Sequence, residues 1–482
     1  MLSAVMLSAG VSPLTASAAG TSPWTDHFVV HTNSYTFDHA PAFGPHNIVV
    51  SHHNVPGTGG MQVYTANLDG SNWKCVTCGA GAPPVPNMVP SFRPQGDKIL
   101  FHTWNDHKVQ FGGPGFGGLG SEFWVVNPDG TNPVNLTPAD LGTEGMDNFH
   151  AYFSPDGNRI AWAHIDWNFV TPITNANVGK GTGKWSIYVA DYVDDSKGPH
   201  LTNVRQVRPE NGHFYETQWW SPDGHGFLYT ESSDSAVDLD LYFFDLTKPA
   251  GQEITRLTNN GTWTEQAIFT PDGKNVVYMS IKDHQNAWAA WSTPANLAKF
   301  PSTYDYAILI PLFFGIFLTP GLPPACDLYE INLATGQERR ITTDGNDGWI
   351  IPEQAYSPDG RFLMWTELEV RQGLRVDGQP ANQPGDEISL LTNPPSVPSN
   401  LLDKGKEFPY VVERTRIGEF VSDGSAGAGG VLGAGVGGVG ANLPTTAGGA
   451  GPPAGSWLAL GASIVLLLMV VGGMGRTRRV SL

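Results

Sequence analysis

An all-β, six-bladed propeller is the fold this sequence predicts, followed by a disordered Gly-rich stalk and one C-terminal transmembrane helix. Three observations carry the propeller. A five-residue phrase recurs, as Phe153-Ser154-Pro155-Asp156-Gly157, Trp220-Ser221-Pro222-Asp223-Gly224, Phe269-Thr270-Pro271-Asp272-Gly273 and Tyr356-Ser357-Pro358-Asp359-Gly360, with a looser copy at Phe92-Arg93-Pro94-Gln95-Gly96. A β-rich run follows each copy, at Ile99-Leu100-Phe101, Ile160-Ala161-Trp162, Phe227-Leu228-Tyr229, Val276-Val277-Tyr278 and Leu363-Met364-Trp365. Further on lies a second hairpin cue, in Asn67-Leu68-Asp69-Gly70, Asn127-Pro128-Asp129-Gly130 and Asn332-Leu333-Ala334-Thr335-Gly336, then a Leu-Thr or Ile-Thr pair at Leu136-Thr137, Leu257-Thr258 and Ile341-Thr342.

Each phrase is a hairpin tip. Proline presets φ for the first corner, Asp bonds nearby backbone N–H, and Gly takes the φ > 0 position that closes the turn. Two hairpins per repeat make four antiparallel strands, the content of a propeller blade. The closing glycines at 96, 157, 224, 273 and 360 set a unit of at most 49 residues with insertions. Phe43-Gly44-Pro45-His46-Asn47, ahead of Ile48-Val49-Val50, reads as a degenerate first member and brings the count to six. These units resemble the PD40 (WD40-like) repeats of TolB-type six-bladed propellers over residues 25 to 420. The ring is closed by a strand from His27-Phe28-Val29-Val30 or from Tyr410-Val411-Val412-Glu413.

With 482 residues, 58 Gly, 38 Pro and 11% aromatic side chains, the composition suits one large β core. A net charge of −18 without Lys/Arg clusters excludes nucleic acid as the expected partner. Residues 1 to 18 hold an apolar run ending in Ala16-Ser17-Ala18, a small-residue cleavage pattern for export without the usual basic start. A Gly/Ala/Pro-rich linker spans 421 to 455, an apolar stretch runs from Trp457 to Met474, and residues 475 to 482 form a basic cytoplasmic tail. That order predicts a bilayer span with the propeller on the extracellular face of the envelope. Within the linker, Leu443-Pro444-Thr445-Thr446-Ala447 resembles the sorting signal of Gram-positive-type, sortase-anchored bacterial surface proteins, with Thr446 as the implied attachment point. Ala447 stands where that signal carries Gly, so wall linkage and a retained membrane anchor both stay open.

The segment Cys75-Val76-Thr77-Cys78 falls where other repeats carry Leu-Thr, and its cysteines read as a local disulfide or as two small buried residues ahead of a redox role. Two cysteines alone close no zinc site, and Gly79 stands where a c-type haem motif needs His.

In each blade the first strand runs along the channel into the phrase and the second returns, so the face opposite the phrase collects two strand ends. Those ends are polar. His150, Glu216, Glu265 and Glu353 precede the turns, and His164, Glu231 and Glu367 lie two residues past the second-strand aromatic, with Thr103 and Ser280 in the same column and His53 near it. The longest connections, Phe111 to Gly120, Asp166 to Lys184 and Asp283 to Ala325, leave on that face, which makes it the expected site. The last of these carries the apolar run Tyr306 to Leu318, a partner or membrane contact or a lid over the channel. Each Glu taken singly also reads as an ordinary strand-end residue that bonds water or a neighbouring blade.

Two functions follow. The first is a surface-anchored module that binds a protein, peptide or glycan at the channel mouth, for which the sequence specifies no definite cofactor. The second is a metal-assisted polysaccharide lyase or hydrolase at the same mouth, similar to the oligogalacturonate lyases, whose propellers carry a His-bound metal. His150 and His164 are then candidate ligands, with Glu oxygens, for Zn or Mn, and oxygens alone would suit Ca. Binding is favoured, because no nucleophile–base pair is recognisable in the sequence. A peptidase of the prolyl oligopeptidase type is not expected, since no G-x-S-x-G elbow occurs and no catalytic domain follows residue 420. Periplasmic TolB is itself a poor match, with no room before Phe43 for its N-terminal domain.

Overall fold

The computed structural model describes residues 26–30, 42–45, 48–55, 60–68, 71–79, 81–85, 87–103, 121–141, 146–166, 184–232, 239–284, 325–347, 351, 353–374, 387–388 and 408–422. The signal segment, the Gly-rich connection 111–120, the apolar run 306–318, the sorting-like motif and the stretch Trp457 to Met474 lie outside them. Among the described residues, no helix is long and apolar enough to cross a membrane.

The strands, in chain order, are β1 Asp26–Val30, β2 Ala42–Phe43, β3 Val49–Val55, β4 Gly60–Ala66, β5 Lys74–Cys75, β6 Asn87–Phe92, β7 Ile99–Thr103, β8 Glu122–Val126 and β9 Val134–Asn135. They continue as β10 Met146–Phe153, β11 Arg159–Asp166, β12 Lys184–Asp195, β13 Gly198–Arg208, β14 Tyr215–Trp220, β15 Gly226–Ser232, β16 Leu239–Asp245 and β17 Ile254–Arg256. The last are β18 Thr264–Phe269, β19 Asn275–Ser280, β20 Asp327–Asn332, β21 Glu338–Arg340, β22 Gln354–Tyr356, β23 Phe362–Leu374, β24 Glu387–Ile388 and β25 Phe408–Ser422.

Five antiparallel sheets of four consecutive strands, β2 to β5, β6 to β9, β10 to β13, β14 to β17 and β18 to β21, are blades 1 to 5. Blade 6 has the order β22-β23-β25-β1, with β24 on β25. Both expected closing strands are therefore used: residues 410–413 lie in the third strand, and β1 adds outside it with Asp26 opposite Ser422. The closing strand runs to Ser422, slightly past the expected boundary at 420. The inner strands touch in sequence, and β22 touches β2, so the ring is complete. This is a six-bladed β-propeller.

The repeated phrase closes its turns as its chemistry requires. Ser154, Ser221, Thr270 and Ser357 each donate a hydroxyl to the Asp two residues on, at 2.5–2.7 Å. The same hydroxyls accept the backbone N–H of Arg159, Gly226, Asn275 and Phe362. Gly96, Gly157, Gly224, Gly273 and Gly360 have φ between 67 and 74°.

The phrase also does something the sequence did not show: it joins blades. Pro155 packs on Gly224, Pro222 on Gly273 and Pro271 on Gly360, where a Cβ would sit 3.8, 3.8 and 3.0 Å from the ring carbons, and a Cβ on Gly96 would overlap Pro45. At Gly96 and Gly360 glycine is thus needed twice, for φ and for the approach of the preceding blade's proline, whereas at Gly224 and Gly273 the proline lies at ordinary contact distance and φ alone makes the demand. The looser copy gives up the Ser-to-Asp bond, and its Arg93 and Gln95 donate to the carbonyls of Gly157 and Asp156 at 3.0 and 2.6 Å.

Candidate functional site

The site lies on the inner strands. Glu216 and Glu265 are the second residues of β14 and β18, His150 is in β10, and Glu353 immediately precedes β22. Blades 3 to 6 thus each place one of these side chains in the ring of inner strands. They are deeply buried, at 2% for His150 and Glu216, 0% for Glu265 and 7% for Glu353. His150 Nδ1 lies 2.5 Å from Glu216 Oε1 across the seam between blades 3 and 4. Glu216 and Glu265 hydrogen-bond each other, Gln266 Nε2 reaches Glu216 Oε1 at 3.4 Å, and Trp263 Nε1 donates to Glu265 Oε2 at 2.9 Å.

Backbone bulges shape the cluster. Register shifts interrupt β6, β10, β14 and β18 between Met88 and Ser91, Phe149 and Tyr152, Thr217 and Trp220, and Glu265 and Ile268. Within three of these bulges Val89, His150 and Gln266 adopt φ of 47, 46 and 51°, uncommon for residues with a Cβ and unfavourable by about 1–3 kcal/mol. Two are strapped from a neighbouring blade. His102 of β7 hydrogen-bonds the Asn148 backbone and accepts the Ala151 N–H at 3.0 Å, one bond on each side of His150. Gln354 of β22 donates to the Gln266 carbonyl. Cross-blade hydrogen bonds therefore hold the conformation that places these residues in the ring.

Burial governs protonation. It pushes Glu216 from 4.5 up to about 7, against a hydrogen bond from Glu265. Burial, then the charge of Glu216 and its hydrogen bond, holds Glu265 well above the carboxylate range. His150 is pulled down by burial, against the attraction of Glu353 and Glu265. His102 is lowered from 6.5 to about 3 by burial and then by His150, so it is a neutral imidazole. Burial thus favours a protonated Glu265 and a neutral His150, and lifts Glu216 toward its neutral form.

The other three predicted residues belong elsewhere. His164 lies opposite Asn148 in blade 3, and its Nδ1 meets Asn148 Oδ1 at 3.1 Å, the same oxygen that accepts Trp162 Nε1. Glu231 receives Arg208 Nη2 at 2.9 and 3.0 Å and contacts His213 Nδ1 at 3.0 Å, binding blade 4 to the outer strand of blade 3. Burial works against the Glu231 charge, but the His213 bond and the Arg208 charge prevail and keep its pKa below the ordinary value. Glu367 accepts Trp365 Nε1 at 2.8 Å and Arg416 Nε at 3.2 Å within blade 6. Glu231 and Glu367 thus fit the structural reading of strand-end carboxylates. Among the described residues, no group of three or more His, Cys, Asp or Glu side chains is arranged to hold a metal ion. The side chain of His53 lies outside them.

His102, Gln266 and Gln354 were not singled out from the sequence. The available signal was a His or Gln inside an otherwise apolar strand, as in Ile99-Leu100-Phe101-His102.

No family model and no curated protein matches this chain. Among solved structures, TolB from Acinetobacter baumannii is 15% identical with a TM-score of 0.40, over 77% of this chain and 65% of that one, so the match spans less than two thirds of it. The putative TolB from Agrobacterium tumefaciens is 15% identical with a TM-score of 0.37, over 71% and 94%. Prolyl oligopeptidase B from Galerina marginata is 10% identical with a TM-score of 0.38, over 68% of this chain and 38% of the enzyme. The class stands on the sheet order and the closed strand ring: a six-bladed propeller with a buried carboxyl–imidazole cluster among its inner strands.

Proposed function

We propose that the propeller is a binding module that takes a protein or peptide segment into its channel from the face opposite the Pro-Asp-Gly turns. The observation that carries this reading is the convergence of His150, Glu216, Glu265 and Glu353 from four successive blades, in a backbone strained at His150 and Gln266. A ligand group reaching these buried side chains is itself desolvated, so it must bring hydrogen-bond donors. An amine or guanidinium on an inserted segment fits that demand, and its positive charge would favour the ionised carboxyls that burial opposes. Localisation belongs to the same proposal: a module carried outside the cell on a Gly-rich stalk, held by the apolar stretch Trp457 to Met474 or by sortase linkage at Thr446. The order of the C-terminal segments and the Cys75–Cys78 disulfide support it.

The test is retention of the full chain on arrays of lysine- and arginine-containing peptides, their acetylated or citrulline counterparts, and neutral oligosaccharides. Basic peptides are expected to bind, with at least tenfold loss in Glu216→Gln/Glu265→Gln. Binding confined to oligosaccharides, or basic-peptide binding unchanged in the double variant, would overturn the reading.

A further inference from the structure

Four of the outer hairpins share one lock. Thr77, Thr137, Thr258 and Thr342 accept, on their hydroxyls, the backbone N–H of Val63, Phe123, Leu241 and Leu328 at 2.8–2.9 Å. The residue before each of those amides is polar: Gln62, Glu122, Asp240 or Asp327. The residue two before each Thr then closes the lock. In blade 4, Arg256 donates to Asp240 Oδ2 at 2.5 Å, to the Thr258 carbonyl at 2.8 Å and to Asn259 Oδ1 at 2.5 Å. In blade 5, Arg340 donates to Asp327 and to the Thr342 carbonyl, and in blade 2 Asn135 donates to Glu122 at 3.0 Å.

Blade 1 has Cys75 at the position of these clamping residues, and uncharged Gln62 at the acceptor position. Thr77 keeps its part, donating to Gln62 Oε1 at 2.6 Å. In place of a side-chain clamp, Cys75 is joined to Cys78, which occupies the position of Asn259. Cys78 is exposed, whereas Val76 and Thr77 between the cysteines are buried. The bracketed segment also meets blade 2, where a Cβ on Gly130 would lie 2.8 Å from the Val76 carbonyl oxygen.

We propose that the Cys75–Cys78 disulfide is a redox-sensitive latch, whose reduction by a small dithiol releases the outer hairpin of blade 1 and its seam with blade 2. A dithiol thiolate attacks the exposed Cys78 sulfur, the S–S bond breaks, and Cys75 leaves as a thiolate that takes a proton. The second dithiol sulfur then displaces Cys78. Two protein thiols form, and the dithiol is oxidised to its disulfide.

Hydrogen exchange read by mass spectrometry on the full chain, with and without dithiothreitol, tests this. Reduction is expected to speed exchange at least tenfold in residues 60–79 and 127–131, and to leave 239–258 and 326–342 unchanged. Cys75→Ser/Cys78→Ser should reproduce the reduced pattern without dithiol. Gln62→Asp/Cys75→Arg/Cys78→Asn, which rebuilds the blade 4 clamp, should show no response to dithiol and keep blade 1 protected. Unchanged exchange on reduction, or equal acceleration in every blade, would overturn the proposal.

Discussion

His150 Nδ1 and Glu216 Oε1 lie 2.5 Å apart with both side chains 2% exposed, an imidazole–carboxyl contact across the seam of two blades. The His150 backbone is held in place by His102 of a third blade. Protonation and inter-blade packing are therefore coupled at this point, and the consequences are measurable.

Glu216 and His102 act on stability with opposite signs. The unfolded Glu216 loses its proton near 4.5, whereas the folded one keeps it to about 7, so this group makes stability fall as pH rises through that window and leaves it level above. Glu216→Gln should remove a slope of up to ~1.4 kcal/mol per pH unit and stabilise the chain at pH 8. Urea midpoints at each pH, compared with the parent, check this; a difference independent of pH would refute it.

His102 is depressed, from 6.5 to about 3, so its stabilising contribution is complete above 6.5 and is lost as pH falls toward 3. His102→Asn should flatten the acid limb. It should also cost about 1–3 kcal/mol at pH 7 by disturbing the acceptor for Ala151 N–H. Acid titrations of both proteins, followed by tryptophan fluorescence, measure the two effects separately.

The two demands on the turn glycines are separable. Gly336 has φ of 69° with nothing within 4 Å of an added Cβ, so Gly336→Ala should cost about 1–2 kcal/mol from backbone conformation alone. At Gly360, with φ of 71° and Pro271 3.0 Å away, Gly360→Ala should cost about 1–3 kcal/mol more. Adding Pro271→Ala should recover much of the difference in a double-mutant cycle.

The blade 4 clamp predicts a pH-dependent mutant. Burial raises the Asp240 pKa against its bond to Arg256, so Arg256→Ala leaves a carboxylate 4% exposed without its cation and should cost about 3 kcal/mol at pH 7. The cost should shrink at pH 4, because burial without Arg256 favours the protonated form of Asp240. Equal losses at both pH values in thermal denaturation would contradict the clamp.

Much of the fold was legible because its determinants are local. Ser154, Pro155, Asp156 and Gly157 are consecutive, and their φ preferences and donors act within the same turn. The candidate site was half legible. His150, Glu216, Glu265 and Glu353 meet, whereas His164, Glu231 and Glu367 serve their own blades or the seam beside them. A position counted along a strand does not say which neighbour a side chain meets once bulges shift the register. The straps from His102 and Gln354 were hidden for the same reason, because each acts on the backbone of a different blade.

What the sequence by itself determined was the repeat: six blades, their turn chemistry, and the polar strand ends, all set by preferences of adjacent residues. Only the tertiary structure decided that the phrase also seals blade to blade, that the ring closes through both chain ends, and which polar residues converge on the inner strands. Those outcomes depend on closing the ring between strands far apart in the chain. There the geometry of the seams, rather than any local propensity, selects the partners.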